Sequence, residues 1–211
     1  MDRLKLLNIL KTPEFDYNQL TDILRDYSAP RDQISKLIKD GSVIRVKKGI
    51  YALGEEFGRP YSPFVLANMI YGPSYISGHS ALSYFGALPE RVELIESTTP
   101  KRKKDFKTPL GRYLYDYLPL EKYQVSIERK GVDEKRHFLI ASPEKALVQL
   151  VVKENEISSY QDVLEWIESM RIEESFLKKL RIKEFKALEK VFNPEICAWL
   201  IDLTRDHQRL K

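Results

Sequence analysis

The sequence predicts an α+β protein: an N-terminal winged helix-turn-helix over residues 1–55, then a mixed antiparallel sheet and helix domain over 61–211 with a helical tail from about residue 155. Three observations carry that expectation. Helical apolar stripes in the first forty residues give way to a short basic ribbon, "VIRVKKGIYAL". Between residues 91 and 141 lie short runs rich in β-branched and aromatic residues, and beyond 155 apolar residues recur at helical spacing.

In chain order, Leu4, Leu6, Leu7 and Leu10 form one helical face, broken at Thr12-Pro13. Leu20, Ile23, Leu24 and Tyr27 form a second stripe, and Ile34, Leu37 and Ile38 a third. Ser28-Ala29-Pro30 opens the third helix with proline in its first turn, and Asp40-Gly41 closes it with a residue that tolerates positive φ. Val43 to Val46 and Ile50 to Leu53 read as strands joined by a Lys47-Lys48-Gly49 turn. "GEEFGRPYSP" has the composition of a linker. After it, "PFVLANMIY" and "SGHSALSYF" predict helices, with Ser77 or Ser80 as a cap. "RVELIEST", "GRYLYDYL", "KYQVSIER" and "RHFLIA" predict strands, and Ser142-Pro143-Glu144 predicts a capped helix start. Tyr160, Val163, Leu164, Ile167 and Met170, then Phe185, Leu188 and Phe192, then Ile196, Trp199, Leu200 and Leu203 mark the helices of the tail.

Composition bounds the function. The 211 residues are 43% hydrophobic and 31% charged, enough apolar material for a core. No apolar run reaches the ~18 residues of a membrane span, and the charged start "MDRLKLLNILK" is unlike a signal peptide, so a cytoplasmic protein with no membrane partner is expected. Cys197 is the single cysteine, and His79, His137 and His207 are scattered, so neither an internal disulfide nor metal-ligand spacing appears; no metal, cofactor or catalytic residue is assigned. With a net charge of +4, an anionic partner must be met by local clusters.

Two clusters stand out. With Ile34, Leu37 and Ile38 turned inward, Asp32, Lys36 and Lys39 point outward, with Arg31, Gln33 and Ser35 on the shoulders and Ser28 at the helix start. Such a face fits the major groove, where these residue types read base edges, while Arg45, Lys47 and Lys48 of the ribbon reach flanking phosphates. The plainer reading is a solvated face on a module that binds protein. The second cluster is Lys101, Arg102, Lys103, Lys104 and Lys107, with Asp105 the one acid among them, either a further contact for nucleic acid or an acidic partner or a solvated hairpin tip.

"LIKDGSVIRVKKGIYAL" is similar to the wing segment of AbiEi-type antitoxins, the regulators of abortive-infection AbiE toxin-antitoxin systems. "YISGHSALSYFGALPE" (Tyr75 to Glu90) and "ASPEKALVQLV" (Ala141 to Val151) resemble two helices of that family's second domain, so the likeness spans roughly residues 1 to 152. The resemblance implies a non-enzymatic transcriptional repressor of its own promoter, bound at inverted repeats of operator DNA, that counteracts a cognate nucleotidyltransferase toxin. Two other classes stand beside it: a winged-helix protein whose second domain cleaves or modifies nucleic acid, and a protein-interaction adaptor without a DNA role. Smaller patterns have duller explanations. Gly78-His79-Ser80 starts like a nucleophile elbow but has Leu82 where that turn needs a small residue. Asp116 with Glu128-Arg129-Lys130 has the outline of a metal-dependent nuclease site, and the plainer explanation is polar residues on a wet sheet face. Tyr113, Tyr115 and Tyr117 alternate onto one strand face, suited to a half-buried sheet or to stacking bases.

Overall fold

A computed structural model describes residues 10–88 and 94–209 of the chain. The first expected helix, apart from Leu10, and the start of the strand expected from Arg91 lie outside these residues. The fold is mixed α+β, with two sheets among the described residues.

The smaller sheet has the order β1-β3-β2, built from β1 (Glu14–Asp16), β2 (Val43–Lys47) and β3 (Ile50–Leu53), all antiparallel. Helices α1 (Tyr17–Ile23) and α2 (Pro30–Lys39) cover it. Asp16 starts α1 with a reciprocal capping box to Gln19, which satisfies two backbone N–H groups that the helix itself leaves open. Proline at the start of α2 lacks an N–H that would be orphaned there in any case, and Gly41 at φ +81° takes the chain off its end. Leu10, Phe15, Leu20, Leu24, Ile34, Leu37, Val43, Tyr51 and Leu53 close a core of their own. Ile38, half-buried, packs against the edge of this core as expected and also lines a groove beside the helix.

The larger sheet has the order β6-β7-β5-β4-β9-β8. Its strands are β4 (Tyr75–Ile76), β5 (Leu94–Thr99), β6 (Lys104–Thr108), β7 (Gly111–Tyr117), β8 (Ile127–Gly131) and β9 (His137–Ala141). The expected mostly antiparallel sheet is in fact mixed, because β4 with β9 and β5 with β7 run parallel. For β5 and β7 the cause is the edge strand β6. It reverses the chain once and β7 reverses it again, so β7 enters beside β5 in the same direction. The strand expected from Lys122 starts later, since Leu120–Tyr123 forms the short helix α5.

Helix α3 (Pro63–Ile70) covers one face, where the buried Tyr115 hydroxyl donates to Ala67 O at 2.7 Å. The other face carries α4 (Gly78–Tyr84) and α6 (Pro143–Val151), and Gln149 of α6 donates to Tyr75 Oη and Thr98 Oγ1. Around α6 pack α7 (Tyr160–Ser169), α8 (Glu174–Leu177), α9 (Ile182–Glu189) and α10 (Pro194–Arg209). Glu144, buried in the first turn of α6, binds the Arg181 guanidinium and backbone N–H and so fixes the entry to α9.

The two units touch. Val46 and Ala52 of the small sheet belong to the core of the large one. Buried Glu14 accepts from Arg136 Nη1 and from the Ser62 N–H, and Arg59 donates to Leu10 O and Lys11 O at 2.7 Å each. The linker-like stretch after β3 holds a single turn of 3₁₀ helix, Glu55–Phe57. Among the described residues no helix is long and apolar enough to cross a membrane.

Candidate nucleic-acid interface

Helix α2 and the β2–β3 ribbon enclose an open groove of about 630 Å³ lined by Tyr17, Arg31, Ile34, Ser35, Ile38, Arg45, Lys48, Gly49 and Tyr51. Arg31, Ser35 and Ile38 follow i, i+4, i+7 spacing, one stripe of α2, and the Ser35 hydroxyl stays local by donating to Arg31 O at 3.0 Å. Across from them stand Arg45 on β2 and Lys48 in the turn. Three cations thus face one hollow with no acidic lining residue. The stripe formed by Asp32, Lys36 and Lys39 is exposed alongside, while Gln33 is half-buried on the opposite shoulder and Ser28 is exposed just before the helix. Tyr17 was not among the expected residues. Its position directly after the Asp16 cap places it at the mouth of the groove, and the cap was the signal available for it.

Lys47 leaves this site. The register of β2 on β3 shifts between Arg45 and Lys47, and such a bulge turns two successive side chains to the same side. Val46 enters the large core, and Lys47 Nζ donates to Ile70 O at 2.7 Å and lies 4.8 Å from the centre of the Phe106 ring. The ammonium therefore serves the carboxyl end of α3, whose last carbonyls carry partial negative charge, and Lys47 is withdrawn from the set of phosphate contacts.

The second basic cluster is part strand and part loop, not a hairpin tip. Lys101 Nζ donates to Gly72 O at 2.6 Å, Lys103 pairs with Asp116 at 2.9 Å, and Lys104 and Lys107 lie exposed on the edge strand β6. Asp105 is held by Arg112 at 2.6 Å. Lysines on an edge strand also discourage pairing with another sheet.

The candidate chemistries do not assemble. Asp116 on β7 and Glu128 on β8 are separated by β5, β4 and β9, roughly 19 Å at the usual strand spacing. Glu128 is paired instead with Arg181 and Lys130. Ser80 is buried, donates to Leu94 O and accepts from the Glu96 N–H, so its hydroxyl is a structural clasp. Ser77 stands at the start of α4 without capping it and accepts from Thr98 Oγ1 at 2.8 Å. His79 pairs with Glu96 at 3.1 Å, and that hydrogen bond raises its pKa. Tyr113 and Tyr115 are buried, while Tyr117 is exposed. Among the described residues no group of three or more His, Cys, Asp or Glu side chains is placed to hold a metal ion.

No family model and no curated protein matches the chain. Among solved structures it is similar to the crystal structure of RV2827C protein from Mycobacterium tuberculosis, with a TM-score of 0.63 at 15% identity, covering 98% of this chain and 78% of that one. At that identity the likeness is one of fold alone.

Proposed function

We propose that the unit ending at β3 is a winged helix-turn-helix whose α2 enters the major groove of operator DNA, and that the chain is a sequence-specific repressor of its own promoter. The observation that carries this reading is the groove in which Arg31 and Ser35 of α2 face Arg45 and Lys48 of the ribbon. The groove gathers Arg31, Arg45 and Lys48 with no acidic lining residue, beside the exposed stripe of Asp32, Lys36 and Lys39, a surface suited to a phosphate backbone on one side and base edges on the other.

The resemblance to AbiEi-type antitoxins supports a second role in the same reading, opposition to a nucleotidyltransferase toxin. The two downstream stretches that carry it contain α4 and α6, which lie on the same face of the large sheet and contribute no lining residue to the α2 groove. The groove and the second unit are then separable by substitution in the intact chain. Arg45→Ala with Lys48→Ala, expressed from an unrelated promoter, is expected to lose promoter binding yet restore colony formation when the neighbouring toxin gene is induced. A folded double variant that fails to rescue would show that opposition to the toxin runs through the groove.

A further inference from the structure

The basic cluster of the second unit borders a separate open hollow of about 520 Å³, lined by Tyr71, Pro100, Lys101, Arg102 and Tyr117. We propose that this hollow binds single-stranded nucleic acid, with a base stacked on the Tyr117 ring and the strand's phosphates against Arg102 and the exposed Lys104 of β6.

Its walls are fixed before any ligand arrives. Thr99 Oγ1 donates to Pro73 O at 2.7 Å and accepts from the Lys101 N–H at 3.3 Å, while Lys101 Nζ donates to Gly72 O and lies 5.6 Å from the centre of the Tyr71 ring. Tyr71 in turn packs against Tyr115 at 5.4 Å and Phe106 at 5.8 Å between ring centres. Those groups are spent on holding the hollow open. Tyr117 and Arg102 are not: Arg102 is exposed, and Tyr117 is 57% exposed at the end of a strand whose Tyr113 and Tyr115 are buried.

An exposed aromatic ring beside a guanidinium suits a ligand that offers a flat π-face and an anionic backbone together. A single strand does so, whereas the bases of a duplex are already stacked. Repulsion from the nearby acids is small. Asp116 is held by Lys103 at 2.9 Å and Lys153 at 2.6 Å, and Asp105 by Arg112 at 2.6 Å. Lys104, exposed on the same face of the edge strand as Phe106, extends the positive path beyond the hollow, while Lys107 points to the other face of the sheet. A hollow of this volume falls in the usual range for small-ligand sites, ~300 to 1,000 Å³.

The test is fluorescence anisotropy of the full chain with a labelled oligouridylate of about 12 nucleotides, within the usual range of single-strand site sizes, and with a duplex of equal length. Tyr117→Ala should weaken single-strand binding by about tenfold and leave the duplex unaffected, while Tyr117→Phe keeps most of the affinity. Arg102→Ala should reduce the slope of log K against log salt by ~0.7, as expected for one phosphate contact on a single strand. Thermal melting of each variant checks its fold, and Arg102, a solvent-facing side chain, carries the test if Tyr117→Ala does not fold. Absence of single-strand binding at low salt, an unchanged affinity in Tyr117→Ala, or equal losses on single strand and duplex would overturn the proposal. Because the α2 groove shares no lining residue with this hollow, promoter binding can fail while this site stands, and the reverse.

Discussion

Lys145 is the least expected residue in the large core. It is fully buried, donates to Tyr123 O at 2.8 Å and Val125 O at 2.5 Å, and lies 4.4 Å from the centre of the Tyr75 ring. Burial pushes its pKa from 10.5 down to about 7. The unfolded chain then holds a proton on this lysine between about pH 7 and 10.5 that the folded chain releases, so the folded state gains stability as pH rises through that window. Below the folded pKa both states carry the charge, and the full cost of burying it is felt. The stability of the protein relative to Lys145→Met should therefore shift in favour of the unsubstituted chain by ~2 kcal/mol between pH 7 and 9. Denaturant melts of both proteins at the two pH values measure this, and parallel pH profiles would contradict it. The sequence shows Lys145 inside an apolar helical run, "SPEKALVQLV". It does not show that α6 is covered on every side, since that depends on helices contributed from residue 160 onward.

At the scale of elements, local pattern was a good guide wherever one element could be read by itself. The stripe Ile34, Leu37 and Ile38 gives α2 its inward face, and Pro30 and Gly41 give its ends. The ribbon was legible too, but not its bulge. Strict alternation puts Lys47 on the same side as Arg45, and the extra residue in β2 sends it to the end of α3 instead. The strands β1, β4 and β6 were missed because the first two are very short and the third is rich in lysine, a residue with low preference for strands. These differences make a sharp prediction about the ribbon. Replacing Arg45 and Lys48 together with alanine should reduce the slope of log K against log salt for duplex binding by about 2, one for each phosphate contact. Lys47→Ala should leave that slope unchanged and lower stability by ~1 kcal/mol through its lost hydrogen bond. Titrations at several salt concentrations separate the two outcomes, and a slope that follows Lys47 would return that residue to the interface.

Across the whole molecule, the stretch rich in glycine and proline near residue 58 lies in sequence between the small sheet and α3, yet it is bridged by contacts that no local pattern reveals. Glu14 and Arg136 meet across 122 positions of sequence, and Lys47 joins the ribbon to α3. Burying the Glu14 carboxylate against Arg136 and the Ser62 N–H orients the small unit on the large one, so under the proposed reading the angle at which α2 would meet DNA is set by both units. The account rests on α2 reading sequence. The most direct measurement is the affinity of Lys36→Ala for the duplex upstream of its own gene and for a scrambled duplex of equal length, at one salt concentration. Loss of a base contact predicts a cost of ~1 to 3 kcal/mol on the promoter duplex and a much smaller one on the scrambled duplex. Equal losses on both would reduce Lys36 to a phosphate contact, and no loss on either would remove α2 from the interface.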